Sequence, residues 1–499
     1  MKKIIVIGAG VSGLSSAAQL AAKGYQVEVF EKNDQPGGRM GQVRAGDFTF
    51  DQAPTIVMMP EVYRSVYRNC GEDPDDYIPM QRLNPIYKIY FADGTVHRAS
   101  SELSELVPAL EEAGFEEAQG YLAYLADVYK RYVVAMDALI KKSFNKPTDF
   151  WNPKTLAAGL KLKTFDTAYA SISKFVKDEK LRELLSFQTL YIGISPFNGP
   201  SIYTIIPMIE LIYGVWLIKG GMYSMAKGMA ALLEKKGGTI RLNSPVEEIV
   251  LENGRAVGVR VGNEIHRADA VLCTADLPWA IDKLLPPRFG AGKYKAEKLD
   301  KLKYSCSCLM LYLGLDSDQW PGLEVHNLAF SSNFKGNLDD IFKGSFPEDP
   351  SLYAYAPGLL DPGYDPAGKR GLYVLVPVAN LNEGSVDWSD PQALARIKDV
   401  VYDRLERIAP LKGVRAHVES ETVFTPRDFE SRFNAYAGAT FGLRPTLSQS
   451  NHLRPQVSFG KTPGLYFAGS STHPGAGVPI VLTSADLAVA KICEDDGVK

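Results

Sequence analysis

The chain has 499 residues, of which 45% are hydrophobic, and its 55 Lys and Arg side chains nearly balance 58 Asp and Glu. This length and apolar content suit two domains with a large core. The balanced charge, with no zinc-ligand spacing and no sustained basic stripe, argues against nucleic acid as a partner and predicts no metal site.

The chain opens with a predicted strand over residues 3–7, which leads into Gly8, Gly10 and Gly13 and then into helical periodicity over residues 14–22. Gly8 permits a tight turn, Gly10 lets the backbone approach a pyrophosphate, and Gly13 allows close packing of helix on strand. Phosphates would then lie at the helix N-terminus. A glycine triplet alone is a weak signal, because such turns also occur without ligands.

A second predicted strand, residues 27–30, ends in Glu31, where a dinucleotide fold places the partner of a ribose 2′-hydroxyl. The negative charge disfavours NADP. Gly37, Gly38 and Arg39 follow as a second glycine turn that suits a loop over the pyrophosphate, which favours FAD over NAD. An ordinary surface turn is the open alternative.

Further along the chain, the patterns predict a hairpin, a helical region over residues 101–187 and later short strands. Residues 184–209 carry no formal charge, but their Pro, Asn and Gly residues predict helix, loop and helix instead of a membrane span. The predicted strands are 86–91, 96–98, 240–242, 246–251, 256–261, 270–274, 306–313 and 373–377. Cys306 and Cys308 are expected to face opposite sides of their strand, and the five scattered cysteines suit reduced intracellular thiols.

Two discontinuous domains are predicted from this order. The FAD-binding domain comprises residues 1–85, 220–285 and 455–499. The substrate domain comprises residues 86–219 and 286–454, with a helical, membrane-facing part at about residues 100–219.

Six stretches of the sequence resemble the carotenoid desaturases of the phytoene desaturase type, and the resemblance runs essentially from end to end. They are GAGVSGL, EKNDQPGGRMGQ, FTFDQAPTIVMMP, GGMYSMAKGMAALLE, ADAVLCTADLP and GSSTHPGAGVPIVLTSA. The resemblance implies an α/β fold, with a Rossmann-type FAD-binding domain of the flavin amine oxidase kind, a discontinuous α+β substrate domain and a helical cap.

Other stretches, such as LLSFQTLYIGISPFNGPSIYTIIPMIE, resemble the bacterial members of that family that act on C30 polyenes. The resemblance implies an FAD-dependent oxidoreductase of C30 carotenoid biosynthesis, which inserts double bonds into 4,4′-diapophytoene (dehydrosqualene) to give 4,4′-diaponeurosporene. Four alternatives stay open: a C40 phytoene desaturase, a terminal oxidase that makes an aldehyde, an isoprenoid carrier without redox activity, and a structural flavoprotein.

By the same resemblance, Gly469 and Ser470 approach the ribityl and pyrophosphate portion, while Val478, Pro479 and Ile480 lie near the flavin ring with backbone N–H groups available. Val246 matches a position whose backbone meets the adenine. Ala53 stands where the family usually has glycine. The predicted cofactor-binding set is Gly8, Gly10, Gly13, Glu31, Lys32, Gly38, Arg39, Pro54, Thr55, Val246, Gly469, Ser470, Val478, Pro479 and Ile480.

Desaturation removes a hydride and a proton, so a proton acceptor is needed. His473 is the candidate catalytic residue, because the C-terminal motif should lie beside the flavin and imidazole titrates near neutral pH. The open alternative is a structural residue of the turn, bonded to backbone.

A C30 chain would cost on the order of 20 kcal/mol to expose to water, at ~0.8 kcal/mol per CH₂. The substrate therefore has to pass from bilayer to protein, which predicts a monotopic membrane contact and a tunnel to the flavin. Residues 197–217 are the candidate entrance, with a buried core helix as the alternative.

Residues 130–182 are rich in Lys and Arg and follow an acidic stretch. This pattern fits either a basic collar that binds anionic lipid or helices with solvated charged faces. Because the first strand begins at once, we expect no cleaved signal peptide and a cytoplasmic protein bound peripherally to the inner face of the membrane.

Overall fold

The computed structural model describes residues 1–144, 147–162 and 164–498. Its first sheet, called the nucleotide sheet, is parallel and is largely buried except at its edge strand Thr239–Arg241. In spatial order its strands are Leu465–Phe467, Ala270–Cys273, Lys3–Ile7, Gln26–Phe30 and Thr239–Arg241. The strands predicted near residues 3, 27, 240 and 270 are confirmed, and the sheet joins segments from both ends of the chain.

Helices pack on the nucleotide sheet through small and aliphatic side chains. Val11–Ala22 lies against both Tyr223–Lys235 and the C-terminal helix Val478–Asp496. Ala17 and Ala18 are fully buried in this contact region, where their small size lets neighbouring helix backbones come close. Pro60–Arg68 adds to the same layer.

An antiparallel meander follows the nucleotide sheet, with strands Glu248–Glu252, Arg255–Val261 and Glu264–Arg267. The predicted strands near residues 246 and 256 are confirmed, although the first begins two residues later than expected. The short helix Leu277–Lys283 starts where the chain leaves strand Ala270–Cys273.

A larger mixed sheet, called the substrate sheet, lies beyond the meander. In spatial order its strands are Val418–Phe424, Ser307–Leu315, Arg370–Val378, Leu352–Tyr355, His326–Ala329, Tyr87–Tyr90 and Val96–Ala99. The predicted hairpin and the predicted strands near residues 306 and 373 are confirmed. Two small antiparallel pairs accompany it: the hairpin of Gln42–Ala45 with Phe48–Asp51, and the distant strands Met80–Arg82 and Trp216–Ile218.

The predicted helical region packs against the substrate sheet in one continuous apolar core. Its α-helices are Leu103–Ala113, Phe115–Ala135, Pro147–Phe150, Pro153–Lys161, Ala168–Ile172, Glu179–Leu184 and Ile205–Tyr213, and a π-helical turn covers Met136–Ile140. The later helices are Phe334–Lys343, Pro391–Glu406 and Pro426–Phe433.

The uncharged stretch 184–209 is indeed broken. Helix Glu179–Leu184 gives way to 3₁₀ turns at Phe187–Ile192 and Ser201–Thr204, and helix Ile205–Tyr213 follows. Across the described ranges, every helix is too short or too polar to serve as a membrane span.

Candidate active site

A large cavity of about 560 Å³ runs between the nucleotide sheet and the substrate sheet. Both terminal motifs contribute to its wall, together with the helices over the substrate sheet. Gly13 does not line the cavity and lies behind the glycine turn. The predicted residues that do line it are Gly8, Gly10, Glu31, Lys32, Gly38, Arg39, Pro54, Thr55, Val246, Gly469, Ser470, His473, Val478, Pro479 and Ile480.

The first glycine turn has the geometry that its spacing predicts. Gly8 has a φ of +94°, which favours glycine. A Cβ on Gly13 would lie 2.0 Å from the carbonyl oxygen of Gly8, so only glycine lets the helix approach the strand this closely. A Cβ on Gly10 would meet no atom within 4 Å, because Gly10 borders the cavity. The backbone at Gly10 is therefore open to a ligand.

The second glycine turn folds directly onto the first, as a loop over a pyrophosphate requires. The Gly37 amide donates to the Ala9 carbonyl over 2.8 Å. A Cβ on Gly38 would lie 3.3 Å from the Cα of Gly10. Arg39 then reaches the C-terminal motif, where its Nη2 donates to the Ser470 hydroxyl over 3.2 Å. The two ends of the chain thus meet at one wall of the cavity.

The acid that ends the second strand is buried beside this turn. Glu31 accepts hydrogen bonds from the Ala9 amide over 2.8 Å and the Asn33 amide over 2.9 Å. Val246 lines the cavity at the same end. Lys32 donates through Nζ to the Ser431 carbonyl and to Asn434, each over 2.6 Å, so its ammonium group is engaged by protein atoms.

The C-terminal helix begins at the cavity wall, so its positive N-terminal end faces the cavity. Val478 and Ile480 have backbone N–H groups in this first turn, whereas Val481 donates to the Gly477 carbonyl over 2.8 Å. The expectation of an available N–H at Pro479 is wrong, because proline has none. Pro479 instead presets the backbone of the first turn.

Sequence reasoning missed two buried ionisable groups, one in this wall and one behind it. Asp276 lines the cavity and accepts hydrogen bonds from the Ser471 hydroxyl and, over 2.9 Å, from the Tyr436 amide. Burial raises the pKa of Asp276. Arg454 donates to the carbonyls of Gln449 and Leu443 over 3.0 and 3.1 Å. Asp276 had a usable signal, since it follows a parallel strand at the edge where ligands bind.

His473 lines the cavity and is 1% exposed. Its Nε2 donates to the Lys142 carbonyl over 2.8 Å, and its Nδ1 has no hydrogen-bond partner within the part of the chain that the structure describes. Burial lowers the pKa of His473 to about 4, so the ring is neutral and weakly basic at pH 7. The acid–base role of His473 stays a prediction. Its bond to the Lys142 carbonyl is the contact expected if His473 is a structural residue of the turn.

Beyond the glycine turns the cavity wall is largely apolar, and we call this part of the cavity the tunnel. Cys306, Cys308 and Met310 line it from the substrate sheet. The expectation that the two cysteines face opposite sides is wrong, because residues two apart in a strand share a face. Both thiols are free, and burial raises the pKa of Cys306 to about 12, so it stays an uncharged part of the wall.

Tyrosines of the substrate sheet fix the loop that carries Thr55. The Tyr373 hydroxyl donates to the Ala53 carbonyl over 2.6 Å. The Tyr353 hydroxyl lies 2.7 Å from the Thr55 hydroxyl and 2.7 Å from Nδ1 of the buried His326. The extra methyl at Ala53 is accommodated at the cavity wall in this arrangement.

These features fit FAD. Gly10 leaves room for a pyrophosphate, the C-terminal helix offers free amides, and Glu31 and Val246 mark one end of the cavity. The apolar remainder then suits a long hydrocarbon.

Residues 11–493 match the family described as flavin containing amine oxidoreductase. The 4,4′-diapophytoene desaturase (4,4′-diaponeurosporene-forming) of Staphylococcus haemolyticus is 50% identical over 494 residues, and that of Staphylococcus aureus (strain Newman) is 45% identical over 496 residues. Both alignments cover 99% of each chain.

Solved structures show the same fold at low sequence identity. An oxidoreductase from Methanosarcina mazei superposes with a TM-score of 0.62 at 17% identity, covering 99% of this chain and 100% of the other. Cyclohexylamine oxidase from Brevibacterium oxydans superposes with a TM-score of 0.60 at 16% identity, covering 99% of each. The predicted fold class and the predicted resemblance are confirmed: this chain belongs to the flavin-containing amine oxidoreductases and, within them, to the diapophytoene desaturases.

Proposed function

We propose that the chain is an FAD-dependent desaturase that converts 4,4′-diapophytoene, by successive double-bond insertions, to 4,4′-diaponeurosporene. One observation carries the proposal: Arg39 joins the two terminal motifs at one end of a cavity that continues as an apolar tunnel. The names of the Staphylococcus relatives, which align over nearly the whole chain, support the same substrate.

The residues that line the cavity have different roles in the proposed reaction. Bound FAD supplies a hydride acceptor. The glycine turns, Arg39 and the C-terminal helix would hold the cofactor, and a hydrogen bond to Tyr353 orients Thr55 in the same cavity wall. Aromatic side chains such as Phe187 and Phe330 line the tunnel, where their faces stabilise an allylic cation and exclude water that would trap it.

The same geometry supports a membrane contact at one end of the tunnel. Helices Phe115–Ala135 and Ile205–Tyr213 pack together and both line the tunnel. Their outer surfaces carry an exposed apolar patch, which we call the entrance patch: Tyr129, Val133, Ile212 and Tyr213. We infer that this patch enters the bilayer and that the substrate passes between the two helices.

The Lys- and Arg-rich region, residues 130–182, gives weaker support for membrane binding than the entrance patch does. Lys174, Lys177 and Lys180 form ion pairs with Asp166, Glu116 and Asp93. These pairs use part of the positive charge that a collar for anionic lipid would need. The proposed peripheral attachment therefore rests mainly on apolar contact.

The proposed reaction is tested by expressing the chain in bacteria that produce 4,4′-diapophytoene. We expect a yellow pigment whose absorption spectrum and mass correspond to 4,4′-diaponeurosporene. An aldehyde product would favour the terminal oxidase, and activity with C40 phytoene alone would favour the C40 desaturase. A colourless protein that takes up no added FAD would favour the carrier and contradict the proposal.

The entrance is tested by Ile212→Lys combined with Tyr213→Lys, with Ile265→Lys as the matched control. Ile212 is 40% exposed on the patch, and Ile265 is 46% exposed on the distant meander. Trp216 is unsuitable for the test because it pairs with Val57 in a β-bridge. We expect the double variant to lose liposome binding and turnover, while the control keeps both. Unchanged binding and turnover in the double variant would refute the entrance.

A further inference from the structure

A carboxylate lies inside the apolar wall of the tunnel. Glu210 belongs to helix Ile205–Tyr213, whose Ile206 and Ile209 line the cavity, and its side chain is 0% exposed. A buried carboxylate is costly unless it is hydrogen-bonded or protonated. A conventional core position on this helix would carry another aliphatic residue, so the acid calls for an explanation.

Glu210 is held by one oxygen atom only. Its Oε2 accepts from Gln188 Nε2 over 3.0 Å and from the Tyr87 hydroxyl over 3.3 Å. Gln188 Nε2 is also 3.1 Å from the Tyr87 hydroxyl, which fixes the arrangement. Among the described residues, Glu210 Oε1 has no hydrogen-bond partner, and neither has the hydroxyl of Tyr191.

Tyr191 connects this acid to the tunnel. Its side chain lines the cavity, and its hydroxyl is a neighbour of the Glu210 carboxyl group, although no hydrogen bond joins the two groups in this structure. Tyr191 also lies near enough to Tyr353 for the two hydroxyls to influence each other, and Tyr353 holds Thr55 in the predicted cofactor wall. Tyr191 therefore lies between the buried acid and the tunnel.

Within its cluster of titratable side chains, Glu210 is the group whose charge changes near neutral pH. Burial raises the pKa of Glu210 to about 7. The titratable groups facing it are Tyr87, Tyr121 and Tyr191, and burial raises the pKa of each of them well above its ordinary value. These tyrosines stay neutral, and none of the groups acting on Glu210 is basic.

We propose that Glu210 receives the proton that desaturation releases, with the Tyr191 hydroxyl as the bridge between substrate and carboxylate. The inference deepens the proposed desaturase function and rests on it. As the hydride leaves to FAD, the neighbouring C–H bond breaks and its electron pair forms the new double bond. The proton passes to the Tyr191 oxygen while the tyrosine's own proton moves to Glu210 Oε1.

Glu210 suits this task better than His473. A general base works best when its pKa is near the operating pH, and the pKa of His473 is lowered to about 4. In addition, one ring nitrogen of His473 donates a hydrogen bond to the Lys142 carbonyl. Tyr191 touches the tunnel and is the catalytic group, whereas Glu210 acts through it.

The test compares Glu210→Gln, Glu210→Asp, Tyr191→Phe and His473→Gln, with Tyr90→Phe as control. Tyr90 shares a strand with Tyr87 and has a buried hydroxyl, but it does not line the cavity. Anaerobic stopped-flow absorbance follows bleaching of bound FAD after mixing with 4,4′-diapophytoene in liposomes, across a range of pH.

In the parent protein, we expect the bleaching rate to rise with pH around a midpoint near the pKa of Glu210. Glu210→Gln should lower the rate roughly 100-fold or more and remove the pH dependence. Glu210→Asp should restore part of the rate, Tyr191→Phe should lower it with FAD still bound, and Tyr90→Phe should behave as the parent. Infrared spectroscopy of the resting protein should show a protonated carboxyl that titrates near neutral pH and is missing from Glu210→Gln.

The outcomes separate the two proposals. Failure of the polyene to bleach the parent protein would refute the desaturase function. Normal bleaching by the parent, with an unchanged rate and pH profile in Glu210→Gln, would refute the proton acceptor alone. Loss of the pH dependence in His473→Gln instead would assign the role to His473 and also overturn the inference.

Discussion

Replacing Glu210 by Gln should change how the stability of the protein depends on pH. Burial raises the pKa of Glu210 from an ordinary 4.5 to about 7, so the folded protein binds more protons than the unfolded chain between these values. The free energy of unfolding therefore falls as pH rises through that window. At 1.36 kcal/mol per pKa unit, the accumulated loss is about 3 kcal/mol above pH 7.

Gln stays neutral at every pH, so Glu210→Gln should lack this loss. Urea unfolding of the FAD-loaded chain, followed by tryptophan fluorescence from about pH 5 to about pH 8, measures the difference between variant and parent. We expect the variant to gain up to about 3 kcal/mol relative to the parent toward the upper end of this range. A difference that is the same at every pH would show that Glu210 does not titrate in this window and would refute the reasoning.

The cofactor wall gives three further predictions. Gly10→Ala should leave the stability of the apoprotein unchanged and weaken FAD binding about tenfold or more in a fluorescence titration. Gly13→Ala should also lower the melting temperature, because its methyl group meets the Gly8 carbonyl. Equal melting temperatures for the two variants would contradict this difference. Arg39→Met should reduce FAD content, since it removes the contact with Ser470, and full FAD content would argue against that bridge. His473→Gln should keep FAD and near-normal turnover, and a large loss of turnover with FAD bound would support an acid–base role.

Local patterns were sufficient to predict the backbone geometry of the first glycine turn. The turn at Gly8 and the packing at Gly13 depend on spacing within one strand–turn–helix unit and have the expected geometry, whereas the role of Glu31 toward a ribose stays a prediction. The contact of Gly38 with Gly10 was also predictable, because both turns belong to the same short stretch of chain. The domain boundaries stay a prediction.

The parts that could not be predicted depend on contacts between distant segments. Glu210 meets Gln188 and Tyr87 only when helix, 3₁₀ turn and substrate sheet pack together. Nothing in the sequence around Asp276 indicates its bond to Ser471, which is formed across the fold. The shared face of Cys306 and Cys308, by contrast, follows from strand geometry alone, because residues two apart in a strand point to the same side.

The parallel strand Leu465–Phe467 pairs with Ala270–Cys273, and the helix after it packs on Val11–Ala22. Because a ribosome makes the amino-terminal half of this site first, the glycine turns emerge long before the segment that closes over them. We therefore expect flavin insertion to follow synthesis of this segment. Truncations that remove residues from Leu465 onward should yield chains that never become yellow, even though their nucleotide-binding turn is intact.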